Sequence, residues 1–324
     1  MPRPFAAALV AVLAALPGTI AAPDSAAAYE TRVYDLPAGA RPHDVAPAPD
    51  GKVWYTAQGQ GALGILDPAS GAVRQVPLGD GSRPHGVIAG PDGKAWITDG
   101  GLNAIVRFDP ASEAVTVWKL PADTGYANLN TAAFDGRGRL WFTGQNGIYG
   151  RLDPASGAMQ VWPAPDGRGP YGIAAAPDGA IWYVSLAGNF LARVDADSGA
   201  STKVGPATPR QGARRVWSDS RGDLFVSEWH TGQLSRFTPS ANLWKTWPLP
   251  GPGARAYAVY VDERDIVWVS DFGANATFAF DPATESWTAI PGSGPGANVR
   301  QILGRPGEVW LPESGLDRLM RVTW

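Results

Sequence analysis

Ala48-Pro49-Asp50-Gly51-Lys52-Val53-Trp54-Tyr55-Thr56 returns, little altered, as Gly90-Pro91-Asp92-Gly93-Lys94-Ala95-Trp96-Ile97-Thr98. Asp-Gly is the two-residue signal of a tight hairpin turn, and the apolar run that follows reads as a strand. Carried along the chain, the phrase places its aromatic at Trp54, Trp96, Trp141, Trp182, Phe225, Trp268 and Trp310, with spacings of 42, 45, 41, 43, 43 and 42. That period belongs to a four-stranded blade, and seven occurrences predict an all-β fold, a seven-bladed β-propeller.

One unit shows the internal order. A strand from His43 to Pro47 meets the Asp50-Gly51 turn, Val53 to Thr56 and Leu63 to Asp67 follow, and Val73 to Leu78 closes the set. Asp67-Pro68-Ala69-Ser70-Gly71, the third turn, recurs as Asp109-Pro110-Ala111-Ser112, Asp153-Pro154-Ala155-Ser156-Gly157 and Asp281-Pro282-Ala283-Thr284. The last unit runs out after its third strand, Leu319 to Trp324, whereas Thr31-Arg32-Val33-Tyr34-Asp35-Leu36-Pro37 resembles a fourth strand standing before the first unit. The N-terminal strand is therefore expected to complete the seventh blade and remove two exposed sheet edges. The repeated aromatics read as packing between blades, each burying roughly 200 Å² for about 5 kcal/mol as an upper bound.

Composition agrees: 40 Gly, 30 Pro and 14 Trp among 324 residues suit short strands and tight turns. A net charge of −3 gives no drive toward nucleic acid, and the absence of Cys excludes disulfides and thiolate chemistry. Arg3, the apolar run Phe5 to Leu16 and the breakers Pro17-Gly18 read as a secretory leader over residues 1–28, cleaved after Ala22 or Ala28. The run is too short to span a bilayer. These features predict one propeller domain over residues 29–324, periplasmic or secreted, without a membrane span and monomeric.

Chemistry is expected where equivalent repeat positions differ and turn polar. Eleven residues before the blade aromatics stand His43, His85, Asn130, Tyr171, Arg214 and Tyr257, with Arg300 as the seventh if its turn is one residue shorter. Three residues after them stand Ala57, Asp99, Gly144, Ser185, Glu228, Asp271 and Glu313. Antiparallel pairing of the first two strands puts both sets at one channel mouth. There a His pair could move a proton, the carboxylates Asp99, Glu228, Asp271 and Glu313 could hold Mg²⁺ or Ca²⁺, and Asn130, Tyr171, Arg214, Tyr257, Arg300 and Arg83 could contact a small-molecule or peptide-like ligand. His230 is expected on the same mouth.

The phrases Arg41-Pro42-His43 and Arg83-Pro84-His85, with the DG-x-x-W-[FY]-T repeats, resemble the streptogramin B lyases, also called virginiamycin B lyases. The resemblance implies a seven-bladed propeller that opens a cyclic depsipeptide by Mg²⁺-assisted elimination, two histidines on successive blades serving as acid and base and glutamates holding the metal. It makes His43 and His85 the catalytic pair and lets Asp99 replace one metal-binding Glu, while Arg83 stands where the other is expected and Ala57 leaves the first blade without an acid. Two other readings are a non-catalytic propeller that binds a ligand or protein through its Arg, Tyr and Trp residues, and a metal-dependent lactonase using Glu313, Asn130 and Asp271. Gly59-Gln60-Gly61-Ala62-Leu63-Gly64 spells a dinucleotide fingerprint but precedes a strand rather than a helix, so no organic cofactor is expected.

Overall fold

The computed structural model describes residues 29–324, so the expected leader and its cleavage sites lie outside the described residues. Seven four-stranded antiparallel sheets form the ring. In blade 1 the strands are Pro42–Pro47, Val53–Ala57, Ala62–Leu66 and Val73–Pro77, within a residue or two of the expected bounds. Among the described residues no helix is long and apolar enough to cross a membrane.

The seventh sheet is built from both ends of the chain. Glu30–Asp35 pairs antiparallel with Arg318–Thr323, in the register Glu30 to Thr323 and Asp35 to Arg318. Pairing satisfies backbone groups that would otherwise form an open edge.

Blade aromatics occupy the core between sheets. Trp54, Trp96, Trp141, Trp268 and Trp310 are fully buried, as is Phe225. Trp310 of blade 7 packs with Val53, Tyr55 and Leu66 of blade 1, and Trp96 of blade 2 packs with Leu129, Leu140 and Phe142 of blade 3. Several indole N–H groups return to the preceding turn: Trp141 to Asp135 at 2.9 Å and Trp268 to Asp262 at 3.0 Å.

A hydroxyl two residues after the aromatic joins one blade to the next. Thr56 Oγ1 accepts from Asp44 N and donates to His85 O, both at 2.9 Å. Thr98 repeats this between Gly86 N and Asn130 O, and Ser227 between Arg215 N and Tyr257 O. Blade 4 has Val184 at this position; there Gly172 permits direct approach, since a Cβ on it would lie 2.6 Å from Arg215 Cα. At the seam, Gln301 Oε1 accepts from Val45 N at 2.9 Å.

Candidate functional site

Six innermost strands share one irregularity. Their pairing with the second strand shifts register between Pro42 and Val45, Pro84 and Gly86, Leu129 and Ala132, Pro170 and Ile173, Ala213 and Arg215, and Ala256 and Val259. Each such bulge falls at the variable position read from the sequence, and a bulge re-aims side chains that strict alternation would send to opposite faces. Two consecutive residues therefore serve the channel: His43 with Asp44, Asn130 with Thr131, Arg214 with Arg215.

The two histidines meet. Their ring centroids are 3.8 Å apart at an interplanar angle of 44°, and both are buried. His43 Nδ1 lies 2.7 Å from Asp44 Oδ1, the oxygen that also accepts from Arg215 Nη2 at 3.1 Å. Arg215 reaches from blade 5 across the channel, and its Nη1 donates to Thr131 Oγ1 at 2.5 Å. Thr131 Oγ1 donates to Asn130 Oδ1 at 2.7 Å, and Asn130 Nδ2 stands 3.1 Å from His85 Nε2.

This chain of bonds fixes both tautomers. A carboxylate beside a guanidinium accepts only, so His43 carries its proton on Nδ1 and leaves a lone pair on Nε2. Asn130, its oxygen taken by Thr131, donates its amide to His85 Nε2, so the His85 proton is on Nδ1, an atom with no hydrogen-bond partner among the described residues. Both rings are neutral: burial, then the charges of Arg215, Arg300 and Arg214, hold His43 well below the ordinary histidine value. Burial, then His43, does the same for His85. Burial raises Asp44 against the opposing pull of Arg215.

Arg214, Tyr171 and Tyr257 form the opposite wall. The two phenol oxygens are 2.5 Å apart, Arg214 Nη2 donates to Tyr171 Oη at 3.2 Å, and the Arg214 guanidinium stacks 3.6 Å from the Tyr257 ring centroid. Burial and neighbouring Tyr257 push Tyr171 up to about 12. Burial opposes ionisation of Tyr257 too, yet Arg214, Arg215 and Arg300 outweigh it and hold that phenol below its ordinary value. His85 also lines a surface depression of ≈ 890 Å³ with Arg41, Arg83, Tyr126 and Asn128. Asp44 and Arg215 line a separate cavity of ≈ 20 Å³ together with inner-strand residues such as Gly86, Thr131 and Gly172.

The four expected metal ligands are not gathered. Asp99 accepts from Arg83 N and Leu102 N at 2.9 Å, and Asp271 from Arg255 N at 2.7 Å and Gly273 N at 2.8 Å. Glu313 accepts from Ser293 N at 2.8 Å, and Glu228 from Thr231 Oγ1 at 2.5 Å. Each carboxylate ties its own loop to its own blade. Neither Glu313 nor Asp271 contacts Asn130, which bonds to His85 and Thr131. Among the described residues, the one set of three groups able to share a metal is His43, Asp44 and His85, with ligand atoms within 4.8 Å of one another. Two nitrogens and a single carboxylate already paired with Arg215 do not make the oxygen cage that Mg²⁺ or Ca²⁺ takes. Arg83 is exposed and contributes its backbone N–H to Asp99, and His230 is exposed and held by its backbone to Gln211. Asp44, Thr131 and Arg215 were not foreseen, because without the bulge the residue after each ring position would face away from the channel.

The sequence matches the Virginiamycin B lyase family over residues 17–277. No curated protein matches it. Among solved structures, selenomethionine-substituted virginiamycin B lyase from Staphylococcus aureus has a TM-score of 0.85 at 20% identity, covering 92% of this chain and 100% of that one. YCF48 bound to D1 peptide gives 0.72 at 16%, covering 91% and 97%. The extracellular domain of a putative one component system from B. thetaiotaomicron gives 0.70 at 16%, covering 90% of this chain and 40% of that one. At such identities the superpositions speak for the fold. The family match, spanning well over half of the 324 residues, speaks for kinship: this chain belongs to the virginiamycin B lyase family.

Proposed function

We propose that the channel mouth is a carbon–oxygen lyase site that opens a cyclic ester of the depsipeptide type by proton transfer. The observation that carries this reading is the contact of His43 and His85 in opposite hydrogen-bonding roles, both set through Arg215. His43 Nε2 takes the proton from the carbon that lies between a neighbouring carbonyl and the carbon bearing the ester oxygen, and Asp44 steadies the resulting imidazolium. His85, neutral with its proton on Nδ1, donates a hydrogen bond to the oxygen on which negative charge develops, as a neutral imidazole can. The carbon–carbon double bond forms as the carbon–oxygen bond breaks, and the departing oxygen takes the proton from His43. Atoms balance without water, and the enzyme returns to its starting state.

The residues present do not suit the divalent metal that the resemblance implies, and no step above uses one. Positive charge comes instead from Arg215, Arg214 and Arg300, the three cations that depress His43.

Incubation with a panel of cyclic depsipeptides, read by mass spectrometry, tests the reading. Elimination opens the ring at unchanged mass, whereas hydrolysis adds one water. His43→Ala and His85→Ala are each expected to lower turnover by about a hundredfold or more, with prior dialysis against EDTA leaving the wild-type rate unchanged. Ring opening with added water would replace elimination by hydrolysis, and no turnover of any panel member, or wild-type turnover in both variants, would abolish the role of the histidine pair; each outcome overturns the proposal.

A further inference from the structure

On the face opposite the mouth, turn arginines are neutralised where they stand: Arg139 by Asp135, Arg221 by Asp219, Arg264 by Asp262, Arg305 by Glu308. At the mouth the pattern reverses. Among the described residues, Arg215 alone of the channel arginines Arg214, Arg215 and Arg300 has a carboxylate partner, Asp44. Arg214 spends one hydrogen bond on the neutral Tyr171 hydroxyl, and its buried Nε has no partner among the described residues. Arg300 spends one on Ser314 Oγ at 3.0 Å. A guanidinium has five N–H donors, so most of this capacity is open. The two guanidiniums converge on one ring, lying 3.6 and 5.6 Å from the Tyr257 centroid. Phe272 stacks on the same ring at 4.8 Å, and Trp229 meets it edge-on at 5.7 Å.

Half-buried cations without counter-charge, held flat by aromatic faces, are set to receive an anion that is itself planar. We infer that the ligand of this mouth carries a carboxylate next to an apolar body, the carboxylate seated on Arg214 and Arg300 and the body against Trp229 and Phe272. Resting on the lyase reading for what happens next, this narrows the substrate to an anionic ester. The site is close to the chemistry: Tyr171, which Arg214 touches, has its ring 6.4 Å from that of His85.

Benzoate and benzamide, alike in shape and differing in charge, are the probes. Titrated against the intact protein and followed by tryptophan fluorescence and calorimetry, benzoate is expected to bind saturably and benzamide at least about tenfold more weakly, the range for a charge-assisted hydrogen bond. Arg214→Gln and Arg300→Gln should each weaken benzoate about tenfold, and Arg300→Lys should recover part of the loss. Arg300 is half-buried and, among the described residues, its side chain hydrogen-bonds only to Ser314, so its variants keep the test open should Arg214→Gln fail to fold. Equal binding of the two probes, no saturable benzoate binding at tens of millimolar, or unchanged affinity in Arg300→Gln would overturn the inference. No turnover enters the measurement: loss of elimination with benzoate binding intact would count against the lyase reading alone.

Discussion

Arg215 is buried with Asp44, and its two terminal nitrogens decide the state of two histidines on other blades. A buried ion pair is costly to desolvate and costlier to break, so its place here follows from what it orients more than from what it stabilises. The neutral histidines have a consequence for stability. In the unfolded chain they titrate near 6.5, while in the fold both are held well below that value, so below about pH 6.5 the unfolded chain binds more protons and stability falls as pH falls. Asp44 and Glu228, both raised by burial, offset this only nearer the carboxylate range. Urea unfolding at pH 7.5 and 5.5 should show a loss of about 2–3 kcal/mol at the lower pH, roughly halved in His85→Gln; a flat profile would mean the rings are not held neutral. At this scale the sequence was half legible. His43, His85, Asn130, Tyr171, Arg214 and Tyr257 could be read from equivalent positions of the repeat. Asp44, Thr131 and Arg215 could not, because repeat position does not announce a bulge. The acids were misassigned because a carboxylate that caps a loop and one that holds a cation look alike in sequence.

In five of the seven blades the second strand carries the whole grammar of the element: an aromatic for the inter-sheet core and, two residues on, a hydroxyl that ties neighbouring inner strands, the exceptions being Val184 and Pro312. Thr98 shows the arrangement, accepting from Gly86 N at 2.9 Å and donating to Asn130 O. Thr98→Val preserves volume but leaves a buried N–H and a buried carbonyl short of a partner. Equilibrium denaturation should record a loss of about 1–3 kcal/mol. Because Asn130 orients His85, the same change should also lower turnover; full stability in the variant would show that the latch is dispensable. The DG-x-x-W-[FY]-T phrase contained the latch residue in plain view, yet its partners lie in two blades and no single unit reveals them.

For the molecule as a whole, periodicity stated the architecture and the unmatched strand at the start of the repeat stated its closure. Glu30–Asp35 covers the edge of Arg318–Thr323, and Tyr34 packs on Trp310 at a centroid distance of 5.5 Å. A chain lacking residues 29–36 should expose that edge and elute from size exclusion as aggregate, with a melting temperature lower by about 10 °C or more if any monomer survives. A monomer as stable as the parent would refute the role of the seam. What repetition could not convey was which repeats face each other across the axis, since that depends on how seven sheets close rather than on any one of them.

The Gln301–Val45 hydrogen bond places the join between the first and last blades directly under His43. Residues 256 positions apart must come together before that imidazole acquires its surroundings. The innermost strand of the first blade is thus fully housed only when the circle is shut.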